Sequence, residues 1–322
     1  MSENVVKIEN LVKYYKDFQA LDHLNLEIKE GEVFGLLGPN GSGKSTTIGC
    51  LLALLNYQEG DIEVFGKKME PYSYDSKKEI GVILQNVAVF EELTVWENVD
   101  YFCGLYITDK KQRRQYVEEA IAFTGLEEFK KFYPKKLSGG LLRRLNIACG
   151  IAHKPKLIVL DEPTVAVDPQ SRNKILEGIE ELNRQGATVI YTSHYMEEVE
   201  QLCSRIAIMD KGKVVALGTK EELKNRIERT EMITVEVIKG LSGDVNDEKC
   251  QKIIEDLGKL EHVLEVTYED GRLEISCGGG KHNLVRILDY MSGTDLALGR
   301  IYSELPTLND VFLEITGKAL RD

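Results

Sequence analysis

No apolar run in the 322-residue sequence is long enough to cross a membrane. Runs such as GCLLALL at 49–55 and LIVL at 157–160 fall far short of the roughly 18 to 20 residues that a span needs. The chain is therefore expected to be soluble, or docked on something that spans. The opening residues MSENVVKIEN lack the basic, apolar and small-residue succession of a secretory signal, so none is expected. Six cysteines, at 50, 103, 149, 203, 250 and 277, include no close pair. That spacing fits neither a zinc site nor a disulfide framework and points to a reducing, cytosolic setting. Positive charge is also scarce: 41 Lys and Arg against 53 Asp and Glu leave a net charge of −12. Such a balance argues against a nucleic-acid partner reached by bulk electrostatics, and leaves open a membrane-embedded partner met through a protein interface. The chain has no long internal repeat and no low-complexity tract.

What is present fits one large domain and a smaller one, since the length exceeds that at which a single core stops growing. Leu24, Leu26 and Ile28 alternate as in a strand, and the EGE turn at 30–32 leads into VFGLLG at 33–38. EIGVIL (79–84), LIVL (157–160), ATVIYTS (187–193) and RIAIMD (205–210) read as buried strands separated by helical stretches. That order predicts a parallel sheet covered by helices. Between them, Thr94 and Glu97 form a capping box that starts a helix over 94–106, and residues 110–125 continue as a helix with a solvated charged face. DKGKVVALG at 210–218 reads as a hairpin, and EELKNRIER at 221–229 as a helix or linker. Beyond about 225 the order becomes β-α-β-β-α-β, with a hairpin turning at Asp270 and Gly271 and a last helix in TLNDVFLEITGKAL, which suggests a ferredoxin-like module. GGG at 278–280 has no strand-to-helix context and reads as a loop.

The strongest chemical signal is GPNGSGKST: Gly38, Pro39, Asn40, Gly41, Ser42, Gly43, Lys44, Ser45 and Thr46, between a predicted strand and a helix bearing Ile48, Leu51, Leu52 and Leu55. This is the context that a phosphate loop requires. Its glycines let backbone N–H groups wrap phosphates, Lys44 supplies positive charge to the β- and γ-phosphates, and the Ser45 hydroxyl can ligate Mg²⁺. The sequence thus implies a nucleoside triphosphate. Downstream, KLIVLDEP at 156–163 ends an apolar strand in two acids, which faces them toward the ligand crevice of an open parallel sheet. Asp161 would hold Mg²⁺, leaving Glu162 to orient the attacking water; two acids in this place also suit a helix cap. In KKLSGGLLRRL at 135–145, Leu137, Leu141 and Leu145 keep a helical period and Ser138 falls at the N-cap, with Gly139 and Gly140 behind it. A helix start of that kind favours an anion; alone, it reads equally as a capped surface helix.

Taken together, these motifs and their spacing resemble the ATP-binding subunit of an ABC transporter over residues 3 to about 225. The resemblance implies an α/β phosphate-loop NTPase fold of the ABC ATPase type: a mostly parallel sheet, an antiparallel β subdomain and a helical subdomain at about 87–153. A small α+β ferredoxin-like domain would follow at 226–322. It also implies that Ser138, Gly139 and Gly140 contact the γ-phosphate of ATP held by an opposite subunit. In the family pattern Tyr15 stacks on adenine, Gln85 approaches Mg²⁺ and the water, His194 contacts the γ-phosphate, and Asp168 lies in a loop crossing the dimer boundary. Two positions depart from that pattern: Leu141 replaces the usual signature glutamine, and Val165, Ala166 and Val167 replace the usual serine and small residues before Asp168. The tail 305–322 resembles that of exporter subunits with a separate permease. The expected partners are a second nucleotide-binding domain and a transmembrane permease, with Trp96 on the docking helix and no nucleic acid. The expected location is the cytoplasmic face of the membrane, held there through that permease. A soluble ATPase of the same family, acting in translation or DNA repair, is the alternative; it would normally fuse two nucleotide domains or carry a long coiled coil, and neither is present.

Overall fold

The computed structural model describes residues 4–226, 231–241, 247–279 and 283–317. The end of the expected linker at 227–229, Gly280 of the triple glycine, His282 and the close of the tail at 318–322 lie outside these residues. Among the described residues the chain divides into two structural units, 4–220 and 221–317.

In chain order the first unit contains β1 (Asn4–Tyr15), β2 (Phe18–Lys29), β3 (Val33–Leu37), α1 (Lys44–Leu51), β4 (Glu59–Val64), β5 (Lys67–Lys68), α2 (Tyr74–Lys77) and β6 (Ile80–Ile83). There follow α3 (Val95–Gly104), α4 (Lys110–Phe123), α5 (Gly139–Ile151), β7 (Leu157–Asp161), α6 (Pro169–Arg184), β8 (Thr188–Thr192), α7 (Met196–Leu202), β9 (Arg205–Asp210) and β10 (Lys213–Gly218). The short α8 (Lys220–Lys224) begins at the boundary.

Six strands form the central sheet in the order β10-β9-β3-β8-β7-β6, all parallel except the β10 edge, which closes a hairpin on β9. Every residue of β3, β7 and β8 is buried, as the unbroken apolar runs require for strands covered on both faces. A separate antiparallel sheet, β2-β1-β4-β5, is amphipathic along its length, and the 59–68 hairpin in it has no counterpart in the sequence reading. One core joins the two sheets to α1, through Leu21, Leu24, Phe34, Ile48, Leu51 and Ile62 among others. Helices α3, α4 and α5 pack on one another. Thr94 caps α3 with the reciprocal Glu97 bond, and α6 starts with Asp168 as N-cap and Pro169 at its first position.

The second unit runs β11 (Glu231–Lys239), α9 (Glu248–Gly258), β12 (Val263–Glu269), β13 (Arg272–Cys277), α10 (Asn283–Ser292), β14 (Ala297–Glu304) and α11 (Leu308–Thr316). Its sheet order is β12-β13-β11-β14 with every pairing antiparallel. This is the ferredoxin-like arrangement. Asp270 and Gly271 turn the β12–β13 hairpin with φ of 48° and 77°, the left-handed pair that suits strand twist. Ile233, Val235, Ile253, Leu257, Leu273 and Ile275 fill its own core.

Candidate active site

The site lies where the parallel strands end. Residues 38–43 link β3 to α1, whose first turn carries Lys44, Ser45 and Thr46; Gln85 follows β6, Asp161 ends β7 with Glu162 next, and His194 follows β8. A crevice at the carboxyl ends of parallel strands is where open α/β sheets bind ligands. The cleft here has a volume of about 480 Å³ and is lined by Asn40–Thr46, Tyr15, Phe18, Gln85, Glu162, Val165 and His194.

Backbone shape builds the phosphate loop. Gly43 has φ of 107°, and a Cβ there would meet Ala20 O at 2.9 Å, so only glycine brings the loop this close to β2. Lys44 is buried, and its Nζ donates to the carbonyls of Gly38 at 2.7 Å and Pro39 at 3.3 Å. Burial lowers its pKa, opposed by the nearby Glu162 and Asp161 carboxylates.

Asp161 is buried and accepts from Thr192 Oγ1 at 2.6 Å and from Ser45 Oγ at 3.3 Å. Glu162 has left-handed backbone, φ 49°, an uncommon and strained state for this residue type. Its amide donates to Thr192 Oγ1 at 2.9 Å. Its carboxylate accepts from Gln85 Nε2 at 3.1 Å, and His194 Nδ1 stands 3.7 Å away. The structure therefore brings Gln85, Asp161, Glu162 and His194 together beside the phosphate loop.

Tyr15 lines the same cleft and is half exposed. Ser138 caps α5, accepting from the Leu141 amide at 3.3 Å. Behind it, Gly139 is open to solvent, while a Cβ on Gly140 would fall 2.4 Å from Ser171 Oγ and 2.9 Å from Asp168 Oδ2. Asp168 caps α6 by accepting from the Ser171 amide at 2.9 Å. This helix start is thus held against that of α6 and is absent from the cleft lining of its own chain. The Trp96 indole donates to Glu118 at 3.2 Å, and Phe90, Tyr101 and Leu105 are among the exposed apolar side chains of this region.

Several supporting residues escaped the sequence reading. Thr192, fully buried, binds both acids. Arg143 donates only to main chain around the strand ends. Glu198 Oε2, also buried, accepts from Thr164, Tyr191 and Ser193 at 2.9, 2.7 and 2.7 Å, which anchors the segment leading to His194. Only Thr192 carried a signal, as the hydroxyl ending a strand just before the histidine.

A family model described as "ABC transporter" matches residues 21–165, and one described as "ATP-binding protein DrrA1-3-like, C-terminal domain" matches 218–316. The linearmycin resistance ATP-binding protein LnrL of Bacillus subtilis is 37% identical across 99% of this chain and 100% of its own length. This chain belongs to the ABC transporter ATP-binding family. The Nod factor export ATP-binding protein I of Sinorhizobium fredii is 32% identical over 100% of this ABC ATPase and 88% of its own length. Among solved structures, a dimeric post-hydrolysis state of an ATP-binding cassette bound to ADP and Pi has a TM-score of 0.61 at 31% identity, covering 66% of this chain and 98% of that one. The ABC ATPase is accordingly an ATP-hydrolysing, nucleotide-binding subunit of a transporter.

Proposed function

We propose that two copies of this chain, or this chain and a similar one, close on two ATP molecules and drive export through a separate permease. The observation that carries this reading is the convergence of Gln85, Glu162 and His194 at one end of a phosphate-loop cleft, with the Ser138–Gly140 helix start outside it. Each site is then completed by the other chain's signature turn, whose free N–H groups and helix dipole suit a phosphate. The full-length likeness to a resistance protein and to an export protein supports the exporter reading. The cytoplasmic face of a membrane follows as the place of work, through the permease; among the described residues no helix is long and apolar enough to cross a membrane. The segment 226–322 enters as an accessory domain.

Within one site, Tyr15 stacks on the base and residues Gly38 to Thr46 wrap the phosphates, with the Lys44 ammonium drawn to the β- and γ-phosphates. Ser45, Asp161 and Gln85 offer only oxygen donors to a metal, the hard set that Mg²⁺ prefers, and Ser45 Oγ already stands 3.3 Å from Asp161 Oδ2. Mg²⁺ bound there would neutralise charge on the phosphates. Glu162 orients the water and accepts its proton as the bond to the γ-phosphorus forms; the β–γ bridging oxygen leaves with ADP. His194 donates to the γ-phosphate. Asp168, at the head of α6, faces the dimer boundary. Loss of the γ-phosphate removes what holds the two chains together, and the permease receives that opening as a switch of access.

The test is the Glu162→Gln variant. It should bind ATP, accumulate as a dimer in light scattering, and turn over roughly 10² to 10⁴ times more slowly. Unchanged turnover would remove Glu162 from its role. Retention of a polytopic membrane protein on the full chain in detergent checks the permease, and its absence with turnover intact favours the soluble alternative.

A further inference from the structure

The Arg143 guanidinium, 4% exposed, lies in the second turn of α5. It donates through Nε to Pro163 O at 2.8 Å, through Nη1 to Leu84 O and Gln85 O at 2.8 Å each, and through Nη2 to Asp161 O at 3.2 Å and Glu162 O at 3.0 Å. A guanidinium has five N–H donors in a fixed fork, so its whole capacity is spent on main chain. The acceptors belong to two chain segments, the one leaving β6 and the one leaving β7. These segments carry Gln85 and Glu162, whose side chains meet at 3.1 Å. Glu162 is also the residue with left-handed backbone at the strand end, a conformation that persists only when its surroundings over-determine it.

We propose that Arg143 is a positioning residue for hydrolysis: it fixes the spacing of the β6 and β7 ends, and so holds the Gln85–Glu162 pair in its working geometry. Because Arg143 and the Ser138–Gly140 turn belong to the same helix start, a rotation of α5 on meeting an opposite nucleotide is transmitted to that pair. The guanidinium is thus a mechanical link between the signature turn and the carboxylate of its own chain. The proposal rests on the reading of Glu162 as the residue that orients water. Lysine, with three donors on one nitrogen, cannot span both segments.

The experiment uses the full chain with Arg143→Lys and Arg143→Ala, measuring the Kd of a fluorescent ATP analogue, kcat, KM and melting temperature, with Glu162→Gln alongside. Misplacing the pair should lower kcat by roughly ten- to a hundredfold while nucleotide Kd stays unchanged. Millimolar guanidinium should restore turnover to Arg143→Ala and not to Arg143→Lys. Full kcat in Arg143→Lys beside an inactive Glu162→Gln overturns this proposal alone. Turnover surviving in Glu162→Gln overturns it together with the reading of the site. If Kd rises and melting temperature falls in step with the loss of kcat and guanidinium restores nothing, Arg143 is merely structural and the proposal fails.

Discussion

The Thr192 hydroxyl donates to Asp161 at 2.6 Å and accepts from the Glu162 amide at 2.9 Å, so one buried side chain fixes two consecutive acids with different proposed duties. Thr192→Val keeps the shape and removes both bonds. Leaving a buried carboxylate oxygen and an amide without this partner should cost about 1–3 kcal/mol. The denaturant midpoint should fall accordingly, and kcat should fall with Mg²⁺ dependence shifted to higher concentration. A variant with unaltered midpoint and metal dependence would show that the hydroxyl is dispensable.

The two signature glycines should separate under substitution. Gly140→Ala places a methyl 2.4 Å from Ser171 Oγ at the rigid start of α6, and overpacking of this kind costs about 1–3 kcal/mol. For Gly139→Ala the nearest atom is Ala166 O at 3.9 Å, so chemical denaturation should be within about 0.5 kcal/mol of the parent. If Gly139→Ala nonetheless lowers ATP-dependent dimerisation, its surface is one used between chains.

Ala166 has φ of 58° in the loop before Asp168. A left-handed alanine costs roughly 1–2 kcal/mol against glycine, part of which returns as backbone entropy of the unfolded chain. Ala166→Gly should therefore leave stability equal or slightly higher in thermal melts. A clear loss would mean that the methyl group packs usefully.

His153 stacks on Tyr106 at 4.1 Å between ring centres, and its Nε2 lies 3.2 Å from Ile80 O. Burial lowers its pKa below the usual 6.5, opposed by the Ile80 carbonyl and by Glu79. The unfolded chain therefore takes up the proton first, and this contribution to stability is lost as pH falls from about 6.5 through the lowered folded value. In urea titrations at pH 7.5 and 5.5, the parent should lose more stability than His153→Phe. Equal losses would show that the imidazole does not titrate differently on folding.

Much of this was legible because the informative segments are local. GPNGSGKST needs only its own glycines and the flanking strand and helix, and the buried strands β3, β7 and β8 are short apolar runs that need no partner to be recognised. Asp270 and Gly271 likewise announce a turn by their residue types. The hairpin at 59–68 was missed because EGDIEVFGKK is charged along one face and becomes a strand only through pairing with β1. Arg143 and Glu198 were invisible for a related reason. Each bonds to residues far away in sequence, so an arginine on a helix or a glutamate in an acidic run reads as solvated until the strand ends are assembled around it.

The unusual backbone of Glu162 has a consequence for anyone seeking a hardier version of the molecule. A search for left-handed, non-glycine positions worth relaxing would flag residue 162 beside Ala166, and glycine there should indeed ease the chain. It would also delete the carboxylate proposed to orient the attacking water. At this position robustness and turnover pull in opposite directions, so the strain is best regarded as part of the machinery and left alone.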